Sequence, residues 1–251
     1  MIEAFFLGPP KKRILASYHP PAGGYGEALT VICPPLFTEY MRTHVALREL
    51  ANSLSEAGQH VLRFDYRGTG DSDGDTSDMA ISDWLEDIWL AVEEGRSISG
   101  ANQVNVVGVR ASALLACRSV GALDELRRMV LWDPVSSGTE YVQAQRRMQA
   151  AMLERNIYVG RADWRDSEND FAGYRVSKEM EEVLGSLGED IYKGVPTGKL
   201  HVVSTASSFV FAVPDAHRET VIFTCDWEND WEDLMMPQPV LERVLACLTM
   251  K

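Results

Sequence analysis

NQVNVVGVRASALLA, residues 102–116, reads as a strand that turns straight into a helix. Val104, Val106 and Val107 supply the β-branched apolar run of a buried strand, and Gly108 closes it. From Arg110 to Val120 the small residues Ala111, Ser112, Ala113 and Ala116 suit a helix packed closely behind that strand. The same pattern recurs on both sides. LTVICP, Leu29 to Pro34, is a continuous apolar run ending in prolines, as a strand buried on both faces requires. Leu47, Leu50, Ala51 and Leu54 then repeat at helical spacing until Gly58 stops them. HVLRFDY, residues 60–66, is the next strand; the turn-rich RGTGDSDGD follows, and then a helix with Ile81, Trp84, Leu85, Ile88 and Val92 on one face. MVLWDP, residues 129–134, is a further strand. Strands alternating with helices predict a mostly parallel sheet with right-handed crossovers.

The flanks complete this plan. Residues 3–8 and 12–18 read as two strands joined at Gly-Pro-Pro-Lys-Lys, an antiparallel lead-in hairpin. LHVVST (200–205) and TVIFTC (220–225) read as the last two strands, and PVLERVLACL as a terminal helix. About eight strands with helices on both faces are expected. Between Ser136 and about Lys199 the strand pattern gives way to the helical stretches TEYVQAQRRMQAAMLER and SKEMEEVLGSL. Residues 136–198 are therefore expected to form a helical lid inserted between core strands. With 251 residues and 45% apolar content the chain can bury one sizeable core, and residues 1–251 are read as a single domain.

Charge and cysteine usage narrow the function classes. A balance of 24 basic against 37 acidic residues, net -13, repels phosphate backbones and anionic headgroups, so neither nucleic acid nor a membrane surface is an expected partner. Cys33, Cys117, Cys225 and Cys247 lack any CxxC or Cys/His spacing, which argues against a zinc site or a disulfide framework and for a reducing compartment. No cofactor and no metal are called for. The apolar run before Gly8-Pro9-Pro10 is too short for a signal peptide, and no later run approaches the roughly 20 residues that span a bilayer. A cytoplasmic protein is expected.

Three segments together resemble the α/β-hydrolase fold: ICPPLF, FDYRGTGDSDGD and VVGVRASALLA. More narrowly, the chain resembles the second of two hydrolase families associated with bacterial exosortase A systems. The residues that carry this are FFLGPPKKRILASYHPPAG, PPLFTEYMRTH, DYRGTGDSDGD, GVRASALLA, LWDPVSSGTEYV and AGYRVS, spanning most of residues 4–187. RGTGDS is shared by many α/β hydrolases, so the narrower resemblance rests on GVRASALLA and LWDPVSSG in the expected order. It implies a setting in exopolysaccharide or protein-sorting loci and a protein partner there.

The hydrolase pattern G-x-S-x-G lifts its central nucleophile above the sheet on a sharp strand-to-helix turn. Here the same stretch reads Gly108-Val109-Arg110-Ala111-Ser112. A guanidinium stays protonated and only donates, so Arg110 cannot attack a carbonyl. It can bind a carboxylate or phosphate at the helix N-terminus, or pair with a neighbouring acid such as Asp133 or Glu39. Ser112 is the nearest hydroxyl; it is read as a helix-start residue serving backbone hydrogen bonds, with a displaced nucleophile as the alternative.

The general base is missing as well. Such folds place a histidine after the last strand, and the stretch Cys225 to Trp231 has none. Of five histidines only His44, nine residues beyond Pro35, is placed to approach the site. Residues 206–208 offer no carboxylate, whereas Asp133 in LWDP is read as the triad acid or, the favoured reading, the ion-pair partner of Arg110. Leu36 and Phe37, with Glu39 following, occupy the turn that normally supplies an oxyanion-hole amide. DSDGD, residues 71–75, resembles a calcium loop but lacks the closing glutamate, and reads as a capped turn. Leu36, Phe37, Glu39, Arg110 and Asp133 are thus the candidate ligand-binding set, and Ser112, Asp133 and His44 the candidate catalytic residues. The leading expectation is an accessory protein on a hydrolase scaffold, binding a small or anionic ligand at the C-terminal edge of the sheet. An ester or thioester hydrolase with a non-standard nucleophile, or a purely structural partner, are the alternatives.

Overall fold

The computed structural model describes residues 2–24, 26–155, 170–205, 216–223, 225–228 and 233–250. The first strands are β1 (Glu3–Leu7), β2 (Ile14–His19), β3 (Ala28–Cys33) and β4 (His60–Phe64), with helix α1 (Thr38–Glu56) joining the last two. Then come α2 (Ile81–Ser99), β5 (Gln103–Val109), α3 (Ser112–Val120) and β6 (Leu126–Trp132). The excursion contains α4 (Gly138–Arg155), the two-residue strands β7 (Asp170–Phe171) and β8 (Tyr174–Arg175), and α5 (Lys178–Gly185). It leads into β9 (Leu200–Thr205), β10 (His217–Val221) and α6 (Gln238–Thr249).

Eight strands form one sheet in the order β1-β2-β4-β3-β5-β6-β9-β10. All neighbours from β4 to β10 are parallel, and only β2 runs against the rest. Side chains of alternate strand residues feed two cores. On one face Val31, Val106, Met129 and Leu131 pack with α2 and α3; on the other Ile32, Val107, Val109 and Val130 pack with α1 and α6. This is why the central strands read as unbroken apolar runs while the edge strand β10 does not.

Two elements differ from expectation. The last strand lies at His217–Val221 rather than 220–225, with Val221 in register with Thr205, the last residue of β9. Ile222, beyond the ladder, is 94% exposed. The helix after β5 begins at Ser112, not Arg110, since Arg110 has φ 54, outside the helical region.

The turn after β4 is held from beneath. Arg67, buried, donates from Nε to Asp87 Oδ1 at 2.5 Å and from its backbone amide to Asp87 Oδ2 at 2.9 Å, while the Trp84 indole donates to the Arg67 carbonyl. Within DSDGD, Asp73 pairs with Arg13 at 3.0 Å and Asp75 accepts from the Ser77 amide at 2.9 Å. Both carboxylates are engaged in closing the turn. Among the described residues, no helix is long and apolar enough to cross a membrane.

Gly108 decides how closely α3 approaches β5. A Cβ there would stand 2.8 Å from Ala113 Cα and 3.2 Å from its nitrogen, both backbone atoms that cannot step aside. Gly108→Ala is expected to lower stability by about 1–3 kcal/mol, the usual cost of overpacking, as measured by urea denaturation.

Candidate functional site

Between the end of β5 at Val109 and the start of α3 at Ser112 the chain has only Arg110 and Ala111 in which to reverse. Arg110 absorbs the turn in the left-handed region, a conformation that costs a non-glycine residue on the order of 1 kcal/mol or more. Its amide donates to the Trp132 carbonyl at 3.0 Å, and its carbonyl accepts from Ala113 at 3.1 Å. The turn therefore raises a guanidinium over the C-terminal edge of the sheet.

That guanidinium is captured on three sides. Nε donates to Glu39 Oε1 at 3.2 Å, Nη1 donates to the Asp133 carbonyl at 3.1 Å, and the group lies 4.8 Å from the centre of the Trp227 ring. The Arg110 side chain is 12% exposed and that of Glu39 2%. Tyr141 on α4 donates to Glu39 Oε2 at 3.2 Å and reaches the Leu36 carbonyl at 3.3 Å. Burial pushes the Glu39 carboxyl above its ordinary value, which Arg110 and Tyr141 only partly offset. Burial would depress the Arg110 guanidinium, but the charges of Glu39 and Asp133 outweigh it and the net shift is upward. The ion-pair partner of Arg110 is thus Glu39 and not, as favoured from sequence, Asp133. The Asp133 carboxylate is already saturated.

Asp133, buried and at φ 42, ends β6 beside the end of β9. Its Oδ1 accepts from the Thr205 amide at 2.6 Å, and its Oδ2 accepts from the Thr205 hydroxyl at 3.0 Å and from Trp227 Nε1 at 3.1 Å. Trp227 follows β10, in the stretch where a catalytic histidine would stand. Its indole N–H gives Asp133 the bond that a triad histidine gives its acid. An indole, however, donates only and cannot receive a proton. Sequence reasoning missed this residue; the signal was the large N–H-bearing ring in Cys225-Asp226-Trp227, read there only for its lack of histidine.

No protein-family model matches the sequence, and no curated protein matches it. Solved structures do. Est1E from Butyrivibrio proteoclasticus, with ferulic acid bound, superposes with TM-score 0.67 at 15% identity over 98% of this chain and 100% of that one. XC6422 from Xanthomonas campestris, an α/β serine hydrolase described as having no lid, gives TM-score 0.53 at 16% identity over 99% and 90%. An α/β serine hydrolase homologue from Coxiella burnetii gives 0.52 at 15% over 87% and 86%. The chain has the α/β-hydrolase fold. At these identities the likeness concerns the backbone.

Within the α/β-hydrolase fold, Arg110, Trp227 and Asp133 stand at the elbow, after the last strand and at the end of β6. The other candidates are not brought to them as free groups. Ser112 is fully buried, and its hydroxyl donates to the Pro34 carbonyl at 2.5 Å, tying α3 to the loop after β3. His44 is exposed on α1, with Nδ1 2.7 Å from the Met41 carbonyl and its ring edge against Tyr40. The stripe that α1 buries runs through Glu39, Thr43, Ala46, Leu47 and Leu50, and His44 lies off it. His201 and His217 stack at 4.9 Å at the starts of β9 and β10, the opposite end of the sheet.

Leu36 and Phe37 are buried, and Phe37 adopts φ 55. The Phe37 ring packs against Trp84, Tyr141, Phe171 and Tyr174, so this turn is covered by aromatic side chains. A cavity of about 10 Å³ between Pro34, Tyr66 and Tyr174 has room for no more than one water. On the far side α4 reaches the Trp227 segment through Arg147, which pairs with Glu228 at 2.8 Å. Residues 206–208, examined for a triad acid, and 229–231 lie outside the described residues.

Glu39→Gln would leave a buried guanidinium without a counter-charge, an expected loss of about 3–5 kcal/mol in chemical denaturation. Arg110→Met combined with Glu39→Leu removes both charges and is expected to recover most of that loss. Equal losses in the single and double variants would show that the pair is not coupled.

Proposed function

We propose that this chain is a non-hydrolysing protein of the α/β-hydrolase fold, an accessory protein that binds a small ligand at the C-terminal edge of its sheet. The observation that carries this reading is the occupation of the nucleophile, base and acid stations by Arg110, Trp227 and Asp133. Serine hydrolysis needs a nucleophile that gives up a proton and a base that takes it. A guanidinium and an indole do neither, and Ser112 spends its hydroxyl on Pro34. The degenerate site is therefore a fixed assembly rather than a triad awaiting substrate.

Its ligand is small, and an anion suits it: after bonding Glu39 and Asp133, Arg110 keeps guanidinium N–H donors that no acceptor among the described residues takes up. The contacts of Tyr141 with Glu39 and of Arg147 with Glu228 support reading α4 as a cover of this site and the excursion 136–198 as its lid. The setting we infer, from the resemblance of GVRASALLA and LWDPVSSG, is an exosortase or exopolysaccharide system of a bacterium, where a protein of that system is the partner. Ligand-dependent thermal stabilisation distinguishes this role from a purely structural one.

Purified protein is expected to show no labelling by fluorophosphonate and no serine-hydrolase turnover of short-chain chromogenic esters or thioesters. Backbone donors alone leave a residual acceleration of about 10³ to 10⁴ over water, insensitive to that reagent. Arg110→Ser alone rescues little. The variant Arg110→Ser, Trp227→His, Glu39→Gln places serine and histidine in line with Asp133 and is expected to become fluorophosphonate-reactive. Stoichiometric labelling of the unmodified protein at Ser112, lost together with ester cleavage in Ser112→Ala, overturns the reading in favour of a hydrolase with a displaced nucleophile.

A further inference from the structure

A second arginine is held in place with no acid among the described residues within ion-pair distance. Arg63 lies in the middle of β4, half-buried, on the face that packs against α1. Its Nε donates to His19 Nε2 at 3.3 Å, and His19 Nδ1 lies 3.1 Å from Asn52 Oδ1 on α1. An amide oxygen only accepts, so Nδ1 carries the ring proton and Nε2 is the free acceptor that Arg63 uses. Burial and the adjoining charge of Arg63 hold His19 down at about 4, so the ring is neutral at pH 7. The chain Asn52, His19, Arg63 therefore fixes the guanidinium through one nitrogen and leaves its fork without an acceptor among the described residues.

Tyr40, His44, Arg48 and Asn52 recur every four residues on α1 and form one stripe along that helix. Its two ends are anchored beside Arg63: Tyr40 donates to Asp65 at 2.5 Å, and Asn52 bonds His19. Arg48, exposed, lies between those anchors. No described acid comes within ion-pair distance of Arg63 or Arg48. The nearest carboxylate, Asp65, spends one oxygen on Tyr40 and the other on the Asp71 amide. Burial lowers the Arg63 guanidinium from its usual value; Tyr40 and Asp65 oppose this, and Arg48 adds to it by repulsion.

The floor beside this corner is open. Across the sheet Arg63 is in register with Ser17 of β2, and Ser17 with Ala4 of β1. Ala4 is exposed, Phe6 on the same face is 47% exposed, and Ser17 is half-buried. A positioned guanidinium, a second cation on the adjacent helix and a partly open shelf of sheet, with Arg13 over Phe6 at its far end, form a corner in which two cations face the hydrogen-bonded carboxylate of Asp65.

We propose that Arg63 and Arg48 form a binding site for an oxyanion, a phosphate or carboxylate group, in the corner between α1 and the β2/β4 pair, separate from the Arg110 site. The planar fork of Arg63 receives two oxygens of the group, and Arg48 closes over it as a second donor. Binding relieves the repulsion between the two cations. The site stands independently of whether the chain hydrolyses esters.

The test is calorimetric titration of the full chain with inorganic phosphate and, separately, acetate at constant ionic strength, with thermal unfolding in parallel. Saturable binding of either ion that is lost or weakened in the Arg63 and Arg48 variants supports the site and names the preferred group, whereas binding that survives them unchanged belongs to the Arg110 site and overturns the proposal. Arg63→Met is expected to abolish it, and Arg63→Lys and Arg48→Ala to weaken it about 10-fold, the loss of one charged hydrogen bond. Arg243→Ala, which removes an arginine already paired with Glu219 on the far side of the fold, is expected to leave it unchanged. Should Arg63→Met fail to fold, the Arg63→Lys and Arg48→Ala variants decide. Absence of saturable binding of both ions, or equal binding in the wild type and these variants, overturns the proposal.

Discussion

A positive charge buried at a sharp turn cannot be left alone, and much of the C-terminal edge of this molecule is arranged around that demand. Arg110 requires Glu39, which puts a carboxylate at the start of α1 where it is almost wholly removed from water. Glu39 in turn requires a donor for its second oxygen, and Tyr141 provides it from α4. One ion pair thereby ties the elbow, the loop after β3 and the excursion into a single cooperative unit. Its worth is conditional: taken as a whole the pair is near neutral for stability, while the loss of either partner is costly.

In the α/β-hydrolase fold the elbow, the end of β6 and the stretch after β10 are fixed addresses on the backbone, and here they carry Arg110, Asp133 and Trp227. Asp133 keeps the hydrogen bonds expected of an orienting acid, from the Thr205 amide, the Thr205 hydroxyl and a ring N–H. Trp227 keeps the ring N–H and loses the second, basic nitrogen. Arg110 keeps the strained elbow and exchanges a small nucleophile for a long cation that lies across the indole. Under the proposed reading the arrangement has the shape and hydrogen-bond direction of a triad but no group at the elbow or after β10 that takes a proton.

The order of strands and helices was legible because burial on both faces leaves an unmistakable run of Val, Ile and Leu in β3, β5 and β6, with Gly and Pro marking their ends. β10 was misplaced by a few residues because an edge strand alternates with charged positions such as Arg218 and Glu219, while the apolar Ile222 just beyond it faces solvent. At the site, the elbow and the identity of Arg110 were readable from local spacing. Its partner was not. Glu39 and Asp133 are both acids a few residues past a strand, and only the three-dimensional result, in which Thr205 and Trp227 have already claimed Asp133, separates them. His44 shows the same limit, since helical phase rather than distance along the chain turns it outward.

The Arg110 and Glu39 pairing also constrains how such a protein can change over generations. Exchange of Arg110 for a serine strands a buried carboxylate, and exchange of Trp227 for a histidine removes the ring over which the guanidinium lies. Each exchange taken singly costs stability, so the residues at these positions are expected to change together rather than one at a time. The ion pair thus makes the composition of the elbow resistant to stepwise exchange.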